Sequence, residues 1–137
     1  MEFNIIIAGS RTFNDLKTLT DATDKFLATI ARMHFGRNVT VISGTAQGAD
    51  KLGEKYAGMH KYKVTQMPAD WERFGKRAGY LRNEEMAKIA HACIVFWKDQ
   101  SHGSKNMIEI ARAKGIPTAV IEPAGNGFTA TYYNLKA

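Results

Sequence analysis

Three glycine-containing turns carry the residues of this sequence whose types and spacing suit anion binding. They span residues 8–12 (Ala-Gly-Ser-Arg-Thr), 43–50 (Ser-Gly-Thr-Ala-Gln-Gly-Ala-Asp) and 102–105 (His-Gly-Ser-Lys), and each follows an apolar run of strand length. Backbone N–H groups at the start of a helix lack intrahelical partners, and the helix dipole favours negative charge there. A strand, a glycine turn and a helix in succession therefore predict a shared pocket for a phosphate-bearing ligand.

The side chains in and after these turns allow more than one interpretation. Arg11 is interpreted as a phosphate clamp rather than a surface arginine, because a guanidinium can bind phosphate through two hydrogen bonds. Asp50 could contact a ribose hydroxyl or stabilise the start of a helix, and both readings stay open. Trp71 could stack on a base or cover the core.

The predicted ligand-binding set adds further residues of the turns and residues of the segment around Trp71. Lys76 and Arg82 could each bind phosphate or be a solvated helix charge. The set comprises Gly9, Ser10, Arg11, Ser43, Gly44, Ala46, Gly48, Asp50, Asp70, Trp71, Lys76, Arg82, Asn83, His102, Gly103 and Ser104.

Several familiar chemistries are absent from the motifs. The spacing Gly44-x-x-x-Gly48 is not the GxGxxG of dinucleotide-binding folds, and no Lys-Ser/Thr pair follows it as in a P-loop. His102 has no partners at metal-ligand spacing, and no Ser-His-Asp constellation is visible. We therefore expect neither a standard dinucleotide fold nor an ATPase, and neither a metal nor a cofactor.

The composition is that of an ordinary soluble protein with a basic surface. The 137 residues carry a formal net charge of +6, scattered without a run of five like charges, which favours anionic ligands but gives weak support to nucleic-acid binding. Cys93 lies in an apolar run and is expected to be a buried, inert thiol. With no membrane-span pattern and no signal peptide, we expect a reduced, cytoplasmic setting.

Apolar periodicity predicts the elements that position the turns. We predict strands at 3–8, 39–42, 62–67, 92–97 and 118–121, and helices at 16–33, 49–57, 78–90 and 104–114. Asn14 is the predicted N-cap of the first helix, Gly58 the stop of the second, and Gly115 the stop of the fourth. Residues 68–76 are predicted as a loop and residues from 125 onward as turns, packed to the body by Phe128, Tyr132 and Tyr133.

Strands that alternate with helices imply right-handed crossovers and a parallel sheet. We expect an α/β fold, a three-layer α/β/α sandwich with a central parallel sheet of about five strands, formed by residues 1–137 as a single domain. The continuously apolar strands at 3–8 and 92–97 should be central, and the more polar strand at 62–67 should lie at an edge. Ligand should bind where strand order reverses, at the carboxyl ends of the strands.

Five motifs in a fixed order resemble one family. They are Gly9-Ser10-Arg11, the run from Ser43 to Asp50, Ala69-Asp70-Trp71, the run Gly75-Lys76-x-Ala78-Gly79-x-x-Arg82-Asn83, and Gly103-Ser104-x-x-Met107-Ile108. Together they resemble the YspA-like branch of the SLOG superfamily, which is Rossmann-like and related to the lysine-decarboxylase-like (LOG) phosphoribohydrolases and to DprA. The resemblance implies a nucleotide, nucleotide-sugar or ADP-ribose type of ligand, a homo-oligomer (dimer or tetramer), and the host cytoplasm if a phage encodes the protein.

The hydrolase relatives differ from this chain in the glycine segment after the fourth strand. They carry a PGGxGTxxE segment after the fourth strand, with an arginine in the preceding helix that Arg82 resembles. Ser104 takes the place of their threonine and Met107 the place of their glutamate. A thioether cannot orient water or stabilise an oxocarbenium-like centre. N-glycosidic hydrolysis would need Asp50, Asp70 or Glu109 in place of that glutamate. The catalytic candidates are Asp50, Asp70 and, because it resembles the relatives' arginine, Arg82.

Three functions are therefore compared. The favoured one is a nucleotide-derivative binding module that senses or sequesters its ligand. The second is a phosphoribohydrolase-like enzyme that uses the same pocket. The third, a single-stranded DNA binder like DprA, ranks last because the sequence shows no stripe of alternating aromatic and basic residues.

Overall fold

The five predicted strands and one further strand form a single six-stranded sheet in the computed structural model, which describes residues 2–136. The strands are β1 (Glu2–Gly9), β2 (Asn38–Ser43), β3 (Lys63–Gln66), β4 (Ala92–Phe96), β5 (Thr118–Ala124) and β6 (Gly127–Tyr133). Their order is β3-β2-β1-β4-β5-β6, with β6 antiparallel to β5 and the other pairs parallel. The expected parallel sheet is confirmed, and it is extended by one antiparallel strand.

Helices cover both faces of the sheet and make it the middle of three layers. They are α1 (Leu16–Thr29), α2 (Ala31–His34), α3 (Ala49–Met59), α4 (Trp71–Phe74), α5 (Ala78–Ile89) and α6 (His102–Lys114), with a 3₁₀ turn at Gly75–Arg77. Phe26 of α1 and Tyr56 of α3 belong to one core, and Met86 of α5 and Met107 of α6 belong to the other. Over the part of the chain that the structure describes, no helix is both long enough and apolar enough to cross a bilayer.

The positions of the strands follow their side chains. Alternate residues of β1 enter opposite cores, with Ile5 and Ile7 on one face and Ile6 on the other. All five residues of β4 are buried, whereas all four residues of β3 are exposed. The structure confirms the central positions predicted for the first and fourth strands and the edge position predicted for the third. A strand in the middle of the sheet is covered by helices on both faces, so both of its faces must be apolar.

The strand β6 is the main element that the sequence did not predict. Residues 127–133 were expected as turns, but they form a hairpin with β5 in which Ala124 pairs with Gly127. Gly125, at φ +58°, turns the chain between the two strands. The predicted packing of the tail is confirmed, since Phe128 and Tyr132 contact the first core and Tyr133 contacts the second.

Helix ends differ from the predictions at three places. Asp15, not Asn14, caps α1, and its carboxylate accepts hydrogen bonds from Thr18 N at 3.1 Å and Thr18 Oγ1 at 2.7 Å. The long first helix breaks at Ile30, next to Thr29, whose hydroxyl donates to the carbonyl of Lys25. The helix α3 runs past Gly58 to Met59, and Lys61 takes the left-handed position that ends it, at φ +59°.

One further expectation, about the segment before α5, is wrong. Residues 68–76 are not a loop throughout, because Asp70 caps the short helix α4 through a hydrogen bond from Arg73 N at 3.1 Å. This difference arises from local hydrogen bonding at the start of a short helix, which apolar periodicity does not report.

Candidate functional site

A cavity of about 390 Å³ lies at the carboxyl ends of β1 and β4. The chain leaves β1 toward one edge of the sheet and leaves β4 toward the other, so the loops after these strands diverge and leave a crevice. The crevice is the switch point at which the sequence predicted ligand binding.

The cavity brings together most of the predicted binding residues from all three glycine turns and from the segment around α4. Its walls contain Gly9, Ser10, Arg11, Ala46, Asp50, Trp71, Lys76, Asn83, Gly103 and Ser104. The other predicted residues, Ser43, Gly44, Gly48, Asp70, Arg82 and His102, lie outside its walls. Contact with a ligand stays a prediction for the first group, and the structure gives most of the second group other roles.

The first turn connects the two central strands. Gly9 has φ +153°, and a Cβ there would collide with the carbonyl of Phe96. The buried hydroxyl of Ser10 donates to Lys98 O at 2.6 Å and accepts from Lys98 N at 2.8 Å. The Ser10 hydroxyl is therefore engaged in joining β1 to the loop after β4. Because α1 begins several residues later and is capped by Asp15, the first turn does not offer an open helix start to an anion.

The second turn packs directly on the first. Gly48 has φ +80°, and a Cβ there would collide with the carbonyl oxygens of Ser10 and Arg11. The close approach lets Ala49 N donate to Ser10 O at 3.2 Å. Ser43 lies beneath the turn, where its hydroxyl donates to Glu54 Oε2 at 2.7 Å. Gly48 and Ser43 thus shape the turn from outside the cavity.

Asp50 places a buried carboxylate in the cavity wall. Its Oδ2 accepts a hydrogen bond from Ala46 N at 3.1 Å. Burial raises the pKa of Asp50 to about 6, although the Ala46 N–H and the positive charge of Arg82 act in the opposite direction. A carboxyl group with this pKa can accept or donate a proton near neutral pH, and a group in that state is common at functional sites.

Arg82 positions the second turn from outside the walls of the cavity. Its Nη1 donates to Gly44 O at 2.6 Å, and a Cβ on Gly44 would collide with the guanidinium. Burial lowers the pKa of Arg82, and the charge of Asp50 partly restores it. The neighbouring Asn83 lines the cavity and donates to Gly103 O at 3.3 Å and Asn106 Oδ1 at 2.9 Å. Arg82 and Asn83 together connect α5 to the second and third turns.

The third turn presents the start of α6 to the cavity. Gly103 and Ser104, in the first turn of this helix, line the wall. Ser101 is the N-cap, and its side chain makes no capping hydrogen bond within the described residues. Its hydroxyl instead donates to Ser104 Oγ at 2.7 Å. The first turn of α6 therefore lines the cavity without a side-chain cap. The exposed side chain of His102 lies outside the cavity walls.

Aromatic and basic side chains form the outer wall. Trp71 is 49% exposed and packs near Gly79, where a Cβ would be 3.3 Å from the indole ring. Tyr80 and Lys76 line the same wall. Asp70, expected to bind ligand, is occupied as the cap of α4.

Sequence reasoning missed part of the wall after β4. Lys98, Asp99 and Ser101 line the cavity, as do Thr12, Gly79, Tyr80, Met86 and Met107. Asp99 and Gln100 both have positive φ, at +57° and +53°. Thr12 Oγ1 donates to Asp99 Oδ2 at 2.7 Å, which fixes the loop against the first turn. The polar run Lys-Asp-Gln-Ser directly after a buried strand was the available signal.

Comparison with known proteins assigns the family. A sequence model described as the YspA, cpYpsA-related SLOG family matches residues 3–74, more than half of the chain. The chain belongs to this SLOG family. The chain is also similar to the gene 61 protein of Mycobacterium phage D29, with 36% identity over 119 residues that cover 82% of this chain and 91% of that protein.

Two solved structures share the fold of this SLOG chain. DNA processing protein A (DprA) from Streptococcus pneumoniae superimposes with a TM-score of 0.65 at 18% identity, over 92% of this chain and 52% of DprA. The protein TM1055 superimposes with a TM-score of 0.57 at 16% identity, over 86% of this chain and 72% of TM1055. The SLOG chain thus spans about half the length of DprA, and both likenesses establish the Rossmann-like fold.

Proposed function

We propose that this SLOG protein binds a phosphate-bearing nucleotide or nucleotide derivative in the cavity between β1 and β4. The start of α6 supports this proposal most directly, because no side chain caps it and because Gly103 and Ser104 of its first turn line the same cavity as Arg11 and Lys76. Helix starts and guanidinium groups are the usual protein partners of phosphate. The volume of about 390 Å³ is within the range of small-molecule sites.

Each part of such a ligand has a partner in the wall. Phosphate oxygens would accept from the N–H groups of Gly103 and Ser104 and from Arg11. A ribose hydroxyl would donate to the carboxylate of Asp50, and a base would stack on Trp71 or Tyr80. Membership of the SLOG family favours ADP-ribose or nucleotide-sugar chemistry within this class.

A role in sensing or sequestering the ligand fits this arrangement better than turnover does. The position that holds glutamate in the hydrolase relatives is occupied by Met107, which is buried in the cavity wall. The phage D29 relative makes the host cytoplasm the proposed setting. A homo-oligomer is part of the same proposal.

Calorimetric titration of the full chain tests the proposal. The panel contains AMP, ADP, ADP-ribose, a nucleotide sugar, a cyclic dinucleotide and a single-stranded oligonucleotide. We expect at least one small nucleotide to bind, and Arg11→Ala to weaken binding by about tenfold or more, the usual loss for a charged hydrogen bond. Arg32→Ala is the matched control, since Arg32 is exposed in α2 and lies outside the cavity.

Two results would count against the proposal. One is the absence of heat with every small nucleotide in the panel. The other is equal affinity of the wild type, Arg11→Ala and Arg32→Ala. Binding of the oligonucleotide alone, with a steep loss of affinity as salt rises, would favour the single-stranded DNA function instead.

Asp50 supports a second candidate function, cleavage of an N-glycosidic bond by a phosphoribohydrolase-like reaction. Of the three carboxylates that could replace the missing glutamate, Asp70 caps α4, Glu109 lines a separate cleft beside Arg112, and Asp50 lines the cavity. Its pKa of about 6 suits a proton-transfer group. Chromatographic detection of free base from nucleoside monophosphates, abolished by Asp50→Asn, would support this function. Intact substrate after prolonged incubation with wild-type protein would exclude it for those substrates.

A further inference from the structure

A second cleft lies at the opposite end of the sheet from the proposed ligand site. It has a volume of about 590 Å³ and is bordered by the starts of β2 and β3 and by the loop after α2. Three of its residues, Arg37, Lys61 and Lys63, carry full positive charges, and none of the described residues in its wall is acidic. Phe35 lies at its rim and is 88% exposed.

The charges of this cleft are largely available to a partner. The guanidinium of Arg37 lies 5.8 Å from the centroid of the Phe3 ring with its Nε buried, and its Nη1 makes one long hydrogen bond to Met33 O at 3.4 Å. Lys63 forms an exposed ion pair with Glu2 at 3.2 Å, which contributes little in water and can exchange for another carboxylate. The two histidines of the wall are already engaged, His34 with Leu27 O and His60 with Asp24. The cleft therefore presents mainly amine and guanidinium charges.

The edge strand β3 begins in this cleft. Met67 N donates to Ser43 O, toward β2, and backbone groups alternate in direction along a strand. The N–H and C=O groups of Val64 and Gln66 consequently face the open side. An open edge of this kind can pair with an added strand.

Lys61 occupies a backbone position that suits glycine better. It ends α3 at φ +59°, and Tyr62 N donates to Ala57 O at 2.8 Å in a Schellman-type turn. Glycine adopts this conformation without steric cost, whereas lysine does not. Binding of an anionic group by the ammonium of Lys61 would be a reason for lysine to occupy this strained position.

We propose that the basic cleft and the open edge of β3 bind an extended acidic segment of another protein by strand addition. The backbone of the segment would pair with Val64 and Gln66, its carboxylates would contact Arg37 and Lys61, and an apolar side chain would contact Phe35. A second copy of this chain is a less favourable occupant, because its own basic cleft would repel the first one. A nucleic acid lacks the peptide groups that the edge strand can pair with.

Nuclear magnetic resonance of the full chain, uniformly labelled with ¹⁵N, tests this proposal. The probe is a peptide of about eight residues that alternates glutamate and valine, the length of an ordinary strand. We expect saturable binding that weakens as salt rises, with the largest shift changes at the amides of Lys61, Val64 and Gln66. No saturation up to about 1 mM peptide, or shift changes centred on Gly103 and Ser104, would overturn the proposal.

Variants separate the edge from the charges. Val64→Pro removes one outward N–H while it leaves the pairing with β2 intact, and proline is tolerated at such edge positions. Lys61→Gly removes one cation and relieves the left-handed backbone. Each variant is expected to weaken peptide binding by about fivefold or more, whereas Lys55→Gln, on an exposed position of α3, should not. Binding by Val64→Pro equal to that of the wild type would exclude strand addition.

Two control ligands test the other occupants. A thymidine oligonucleotide that shifts the same amides at lower concentration than the peptide would reassign the cleft to nucleic acid. A dimer of the protein alone that Val64→Pro dissociates, measured by sedimentation velocity, would reassign the edge to a second copy. Because the cleft and the nucleotide cavity lie at opposite ends of the sheet, failure here leaves the proposed function untouched.

Discussion

The buried carboxyl group of Asp50 makes the stability of the fold depend on pH. A rise in pKa from 3.8 to about 6 means that the folded state holds a proton which the unfolded chain releases. By thermodynamic linkage, the stability that the protonated carboxyl group contributes is complete below about pH 4 and is lost as pH rises through about 6. At neutral pH, the fold is therefore less stable with an ionised Asp50 than it would be with an uncharged group in the same place.

We expect Asp50→Asn to raise the free energy of unfolding at neutral pH by roughly 1–3 kcal/mol, the equivalent of one to two pKa units. The amide keeps an oxygen for the N–H of Ala46 and carries no charge. Thermal melts at about pH 7.5 and about pH 4 provide the measurement, and the gain should disappear at the lower pH. A lower melting temperature of the variant at both pH values would contradict the assignment.

His91 has the opposite pH dependence at the other end of the sheet. Its Nδ1 accepts a hydrogen bond from Asn4 N at 2.9 Å, and its ring stacks on Phe3. Burial lowers the pKa of His91, and the positive charges of Arg37 and Lys114 lower it further. The stability that neutral His91 contributes is therefore present above the unfolded pKa near 6.5 and is lost as pH falls below it.

We expect His91→Phe to reduce the loss of stability between about pH 7.5 and about pH 5, because phenylalanine can stack but cannot bind a proton. Urea denaturation in an Asp50→Asn background gives the cleanest comparison, since Asp50 titrates in the same range with opposite sign. An unchanged pH slope in the double variant would show that His91 is not the titrating group.

Among the helices, the end of α3 is the place where sequence identity and backbone conformation disagree most. A glycine stop was predicted at Gly58, yet the left-handed position belongs to Lys61. We expect Lys61→Gly to stabilise the protein by about 0.5–1 kcal/mol, because glycine adopts positive φ without strain. Chemical denaturation measures the gain.

Lys55→Gly is the matched control for that substitution. Lys55 is exposed in the interior of α3, where glycine is expected to cost about 1 kcal/mol relative to a good helix former. Opposite signs for the two lysine-to-glycine changes would establish that the backbone at Lys61, and not the loss of a lysine, causes the effect. Equal destabilisation by both would refute it.

At the scale of the whole molecule, the site depends on contact between two turns that are far apart in sequence. Gly48 packs against the carbonyl oxygens of Ser10 and Arg11, so the first and second turns share one rim. We expect Gly48→Ala to destabilise the fold by about 2 kcal/mol or more and to weaken nucleotide binding, because collision with backbone adds to the strain of positive φ.

Gly36→Ala is the control that separates the collision of a Cβ with neighbouring backbone from the strain of a positive φ. Gly36 has φ +75°, close to that of Gly48, but a Cβ there would meet open space. The difference in unfolding free energy between the two variants measures the contact between the turns. Similar stabilities for both variants would show that backbone strain alone accounts for the effect.

The amino-acid sequence by itself determined the layers, the central strands and the neighbourhood of the site. Apolar runs such as 3–8 and 92–97 can be buried only in the middle of a covered sheet, and glycine turns after such strands must reach its carboxyl edge. Sequence patterns report these properties because burial and turn conformation depend on local residue type.

Only the tertiary structure decided which polar groups of the turns remain free. From the sequence, Ser10, Ser43 and Arg82 were predicted to bind ligand in the same way as Arg11. In the structure, Ser10 donates to Lys98 O, Ser43 to Glu54 and Arg82 to Gly44 O. The pairing of β6, the wall formed by Lys98 and Asp99, and the pKa of Asp50 likewise depend on partners distant in sequence. Hydrogen bonds and desolvation are set by contacts across the fold, and one residue type cannot encode its distant partner.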